Sequence, residues 1–393
     1  MNNGGAQETR QTAHDTVDVS PDVAPFQLGG LEQTAAKAAA SPWACEIETG
    51  APRRKLVLVA LAAATITAVL LLLLLDSSAG TPSAPSSSSS SSSSSPKHTK
   101  ITAVGALQRQ VVATLTGHGA SNWTLSERHT RQSRLETIQY LESQLVALGI
   151  QPMRHSYSAT GINVYALLPA SGENLTETSA VVVLGAHFDT VADSPGANDN
   201  ASGVALVLGV AMELLRAGGG SKGADGAAQR AKGVMVVFFD EEEVGLKGSR
   251  AFAQKLIDDD IKVDSVHTVD QVGWDSNNDR SFEIELPYLG AYELYERAAT
   301  KVAAAAAAAA AAVGPPPLGA TIVHLSNVAT TDHASFRNVG YKAVGVTEMY
   351  AHGDTTPHYH QTTDVYDTVD FGYLESVTLT VAEAFQEIVT AAS

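Results

Sequence analysis

Three histidines and a series of carboxylates are spaced so that some of them could hold cations. His187-Phe-Asp189 closes the apolar stretch VVVLGA, and Asp199 follows within GANDNASG. Glu241, Glu242 and Glu243 come directly after VMVVFFD. Asp270 ends the run SVHTVD, and His358 and His360 lie in the polar segment PHYHQTTD. Carboxylates brought together would repel one another unless cations held them. The available donors are imidazole and carboxylate. The single cysteine, Cys45, allows neither an internal disulfide nor a thiolate site. That donor set suits zinc or a similar divalent ion. One histidine at a strand end is ordinarily a surface residue, so the inference rests on all these groups occurring jointly.

The elements that would position them alternate. Ile138, Leu141, Leu145 and Leu148 recur at helical spacing, and Gly149 follows as a stop. The segments 162–168 and 181–185 read as strands, and Val204, Leu206, Val207, Val210 and Leu214 mark a helix. A buried strand is predicted over 234–239, a short helix over 249–256, and a strand over 266–272. A helix over about 291–304, a late strand over 344–346 and a closing helix over 371–392 complete the pattern. Such alternation predicts an α/β domain, three layers with a mostly parallel mixed sheet between helices. In such sheets ligands bind outside the carboxyl ends of the strands, where three of the acidic groups converge.

The chain resembles metallopeptidase family 28, the di-zinc aminopeptidases that include aminopeptidase Y and bacterial leucyl aminopeptidases. The matching pieces are AHFDT, GANDNASG, FFDEEEVGLKGS, the strand end at Asp270, TTDHASF and YHQTTD, in the family's order over about residues 180–370. The resemblance implies a zinc-exopeptidase-like fold, peptide substrates and two zinc ions. It implies His187 and Asp270 on one zinc, Glu243 and His360 on the other, and Asp199 bridging both. It further implies a hydroxide shared by the metals, Glu242 as general base and Asp189 orienting His187. The family's pattern places Val-Gly-Leu directly after the ligand, and the resemblance so implies Glu243 as ligand and Glu242 as base; Glu241 or Asp240 in these roles is the alternative. The family has a tyrosine before the ligand histidine and Thr and Asp shortly after, so the resemblance favours His360 over His358. Some members carry a tyrosine before the Asp-His pair as a donor to the tetrahedral intermediate. Here that stretch is Asn327-Val-Ala-Thr-Thr, leaving Tyr350, Tyr359 or Asn327 as candidates. His333 and Asp332 are read as shaping the cleft or holding their loop. Carboxypeptidase, dipeptidase, glutaminyl cyclase-like and inactive receptor-like relatives are the competing functions.

The first hundred residues read differently. Residues 56–75, LVLVALAAATITAVLLLLLL, carry no charge and are long enough to span about 30 Å of hydrocarbon. Arg53, Arg54 and Lys55 precede the run and Asp76 follows it. That asymmetry predicts a single-pass type II signal anchor, with the catalytic domain extracellular or lumenal. A cleaved signal peptide is the alternative, although its apolar core is normally about 7–15 residues. Residues 1–52 read as a disordered cytosolic tail and 77–99 as a Ser/Pro stalk. The peptidase domain is expected over 100–393, with a low-complexity Ala/Pro insertion at about 303–317. Asn122 and Asn174 are plausible glycan acceptors, whereas Asn200 adjoins the bridging Asp199 and is not. The net charge of −17 excludes nucleic acid as a partner.

Overall fold

The computed structural model describes residues 101–119, 125–170, 180–218, 230–313 and 321–391. The expected tail, anchor and stalk, Cys45, Asn122 and Asn174 lie outside the described residues. Eight strands form one sheet: β1 (Pro152–Ser156), β2 (Ile162–Leu168), β3 (Val181–His187), β4 (Gly233–Phe239), β5 (Val263–Val269), β6 (Ser281–Glu285), β7 (Ile322–Ser326) and β8 (Ala343–Thr347). Their order is β1-β2-β4-β3-β5-β8-β6-β7. The central strands β4, β3, β5 and β8 run parallel, as do β6 and β7. The other pairings, β1 to β2, β2 to β4 and β6 to β8, are antiparallel.

Strands β3 and β4 are buried at every position, which their unbroken apolar sequences require of a sheet covered on both faces. Side chains alternate across that sheet. Val182, Leu184, Ala186, Val234, Val236 and Phe238 join one core, and Val181, Val183, Met235, Val237 and Phe239 the other. The first core is covered by α1 (Ala103–Leu115), α2 (Arg131–Ala147), α3 (Gly203–Gly218), α5 (Ala291–Val313) and α7 (Phe371–Thr390). Phe252, Ala253 and Leu256 of α4 (Lys247–Asp258) and Phe336 of α6 (His333–Arg337) cover the second. Three layers result.

The stretch Ala197–Gly218 is long and apolar enough to cross a membrane, but most of it is buried inside this fold as a core helix. The alanine block continues α5 to Val313. The strand expected to reach Val272 stops at Val269. Beyond that point the chain leaves the sheet, because the N–H groups of Gln271, Val272 and Gly273 donate to the side chains of Asn200, Ser202 and Asn198.

Candidate metal centre

Parallel strands place their carboxyl ends at one edge, and that edge carries the cluster. His187 is the last residue of β3, Asp240–Glu243 follow β4, and Asp270 follows β5. Asp199 reaches them from a kinked turn over Ala197–Ser202, non-helical at Asp199 and Asn200, that leads into α3. Its peptide bond to Asn200 is cis. His360 comes from the connection between β8 and α7, at φ 58°.

Asp199 lies between two imidazoles. Its Oδ1 is 3.3 Å from His187 Nε2, and its Oδ2 is 3.3 Å from His360 Nε2. His187 Nε2 also lies 3.3 Å from Asp270 Oδ1, and His360 Nε2 lies 3.1 Å from Glu243 Oε2. Ligand atoms of His187, Asp199 and Asp270 fall within 4.8 Å of one another, as do those of Asp199, Glu243 and His360. A third such group joins His187, Glu242 and Glu243. Asp189 stands behind His187, its Oδ1 3.6 Å from Nδ1. Its two oxygens accept the N–H groups of Glu242 (3.0 Å) and Glu243 (3.2 Å), joining the end of β3 to the acidic turn.

The electrostatics follow from this crowding. Burial pushes the Glu242 carboxyl up to about 10; His187 opposes this, and Asp332, Asp270 and Glu243 add to it. Glu243 is pushed up to about 8, by burial and then by Asp199. Burial works against charge on Asp199 too, but His187 and His360 outweigh it and hold the group at about 2. His187 stands well above its ordinary value despite burial, because Asp270 and Glu242 face it. Four carboxylates thus share two imidazoles, and Glu243 Oε1 is buried with no hydrogen-bond partner. Oxygen and imidazole donors left unanswered in this way fit zinc, which takes both.

The acidic run divides by direction. Asp240 is held by Arg134 Nε (2.7 Å) and the Ile162 N–H (2.9 Å). Glu241 accepts from Arg134 (3.1 Å) and Thr160 (3.0 Å). Only Glu242 and Glu243 of the four line the cleft. His358 bonds to Thr363 and packs against Trp274, outside the three ligand groups. Tyr350 and Tyr359 line the cleft; Asn327, Asp332 and His333 do not. Asn200 is fully buried and its amide is used three times, by the Val269 carbonyl and by the Gly203 and Gln271 N–H groups, so no glycan fits there.

Supporting residues were missed by the sequence reading. Asp364 accepts the N–H groups of Asn198 (2.8 Å) and Asp199 (3.0 Å) and so fixes the turn that carries Asp199. It ends the YHQTTD match, which was the available signal. Arg128 is fully buried and donates to the carbonyls of Phe188, Leu115, Pro195 and Gly196. Nothing around it in the sequence marks it. Gly196 is left-handed at φ 62°, and a Cβ there would meet Asp199 O at 2.4 Å, so only glycine serves at this corner.

The family model described as Peptidase family M28 matches residues 163–385. Leupeptin-inactivating enzyme 1 of Streptomyces exfoliatus is 31% identical over 140 residues, 35% of this chain and 29% of that protein. The chain therefore matches less than a third of that relative's length. The solved structure of LapB from Legionella pneumophila superposes with a TM-score of 0.57 at 19% identity, covering 72% of each chain. A glutaminyl cyclase from Bacteroides thetaiotaomicron reaches 0.51 at 18% identity, covering 74% of this chain and 98% of its own. At such identities the structures speak to fold alone. The family match covers more than half of the sequence and includes His187, Asp199, Glu242, Glu243, Asp270 and His360, and on it the chain belongs to peptidase family M28.

Proposed function

We propose that this chain is a zinc-dependent aminopeptidase that holds two zinc ions and removes N-terminal residues from peptides. The observation that carries the reading is Asp199, whose two oxygens each face a different histidine, with a further carboxylate completing either set. His187 and Asp270 would hold one ion, Glu243 and His360 the other, and Asp199 both. When bound, the pair would activate water and polarise the substrate carbonyl.

The chain's own groups do the rest. Glu242 lies in the same cleft, its carboxylate within 4.8 Å of ligand atoms of His187 and Glu243. It is the general base, taking a proton from water and passing it to the departing amine. Asp189 supports this from behind. Its carbonyl lies 3.2 Å from His187 Nδ1, which directs Nε2 toward Asp199 and Asp270. We also propose that residues 56–75 anchor the protein in a membrane, with this domain on the extracellular or lumenal side.

The test is metal analysis combined with substrate profiling. The full chain should carry close to two zinc equivalents, lose activity to a chelator, and cleave free-amine peptides but not N-blocked ones. One equivalent with cyclisation of N-terminal glutamine would replace this reading with a cyclase. No metal and no turnover would point to a receptor-like relative.

A further inference from the structure

The cleft contains more acceptors than the metal centre uses. Glu285, at the end of β6, lines it together with Gln271, Thr330, Thr331 and Thr347. Glu285 is 1% exposed. Thr331 Oγ1 donates to its Oε2 at 3.2 Å, and His333 Nδ1 lies 3.4 Å from the same oxygen. Gln271 Oε1, in the same wall, is buried with no hydrogen-bond partner among the described residues. Among the described residues, no lysine or arginine lines the cleft.

The seat for Glu285 is rigid. Its strand position pairs with Gly345 on β8 and Ser326 on β7. A Cβ at Gly345 would come within 2.3 Å of Glu285 Oε2, so the absent side chain is what admits the carboxylate.

Resting on the aminopeptidase reading, we propose that this cleft selects peptides whose N-terminal side chain is a cation, lysine or arginine, paired with Glu285. A buried acceptor without a donor is costly, so a ligand that brings donors is favoured over one that seals the acceptors from water. An ammonium brings three donors and a guanidinium five, whereas leucine or phenylalanine brings none. Burial pushes the Glu285 carboxyl up to about 8, with Asp270 adding to it, and an arriving cation supplies the charge that the wall lacks.

Lysine and norleucine differ essentially by the ammonium, so they make the comparison. On the zinc-loaded full chain, kcat/KM for a lysyl anilide should exceed that for the norleucyl anilide by about tenfold or more, the scale of a charge-assisted bond. Glu285→Gln should reduce that ratio by about tenfold. A wild-type preference for norleucine, or a ratio unmoved by Glu285→Gln, overturns the inference while leaving aminopeptidase activity standing. If neither anilide is cleaved, the functional reading fails instead, and calorimetry decides the pocket separately. Lysinamide binding about tenfold tighter than norleucinamide to the wild type supports the inference; equal binding overturns it.

Discussion

Two buried polar regions meet at residues 198 and 199, and they differ in how their oxygens are answered. In one, Glu348 accepts from the Asn198 amide, the Trp274 and Thr356 N–H groups and the Thr355 hydroxyl. Asp364 accepts two backbone N–H groups beside it. In the other, Asp199, Glu242, Glu243 and Asp270 face one another across two imidazoles, and one Glu243 oxygen has no hydrogen-bond partner among the described residues. The residue types are the same. What separates them is whether the chain supplies donors: the first region is complete as folded, and the second would be completed by the proposed ions.

The sharpest way to break this contrast lies within the acidic turn. Glu242→Gln should lower turnover by about 10²–10⁴-fold with metal content retained, the usual worth of a general base. Glu243→Gln should instead lose one zinc equivalent, because it removes a ligand. If Glu242→Gln released zinc and Glu243→Gln kept it, the roles would be shifted by one residue.

Zinc itself should produce the next largest effect. Only the folded chain assembles the second region, so zinc at about 100 times its dissociation constant should add about 2.7 kcal/mol to unfolding. Thermal melts with and without chelator read this directly, and identical melts would erase the difference between the regions. The smallest effect is expected in the satisfied region. Asp364→Asn keeps the shape but replaces one acceptor oxygen with an amide group, and should cost about 1–3 kcal/mol in urea unfolding. Unchanged unfolding would mean that these hydrogen bonds do not hold the turn.

What the sequence disclosed follows the same division. Strands β3 and β4 were legible because a strand buried on both faces is an unbroken apolar run. Strand β6 was not, since its Glu283 and Glu285 are buried in a sheet where charge is unexpected. Strands β1 and β7 lie at the sheet edges and are short, their apolar residues broken by Arg154, His155 and Ser156 in one and by His324 and Ser326 in the other. Helix α1 escaped notice because its buried stripe includes Gly105, Gln108 and Thr114 among the valines. His187, Glu242, Glu243 and Asp270 stood out as unusual residues at or just after strand ends, and Asp199 and His360 as members of polar loop segments. Arg128 and Asp364 did not, because their partners are backbone groups, and backbone is common to every sequence.

Arg128 has a practical consequence for anyone cutting the gene. The segment that matches the family model begins at residue 163, after Arg128, α1, α2 and β1. A fragment trimmed to that segment would leave the carbonyls of Phe188, Pro195 and Gly196, which bracket the approach to Asp199, without their shared donor. It would also bare the core face that Val111, Val112 and Leu115 cover. The unit of homology is thus shorter than the unit of folding, and an expression boundary should be drawn ahead of Thr102, whose side chain caps α1.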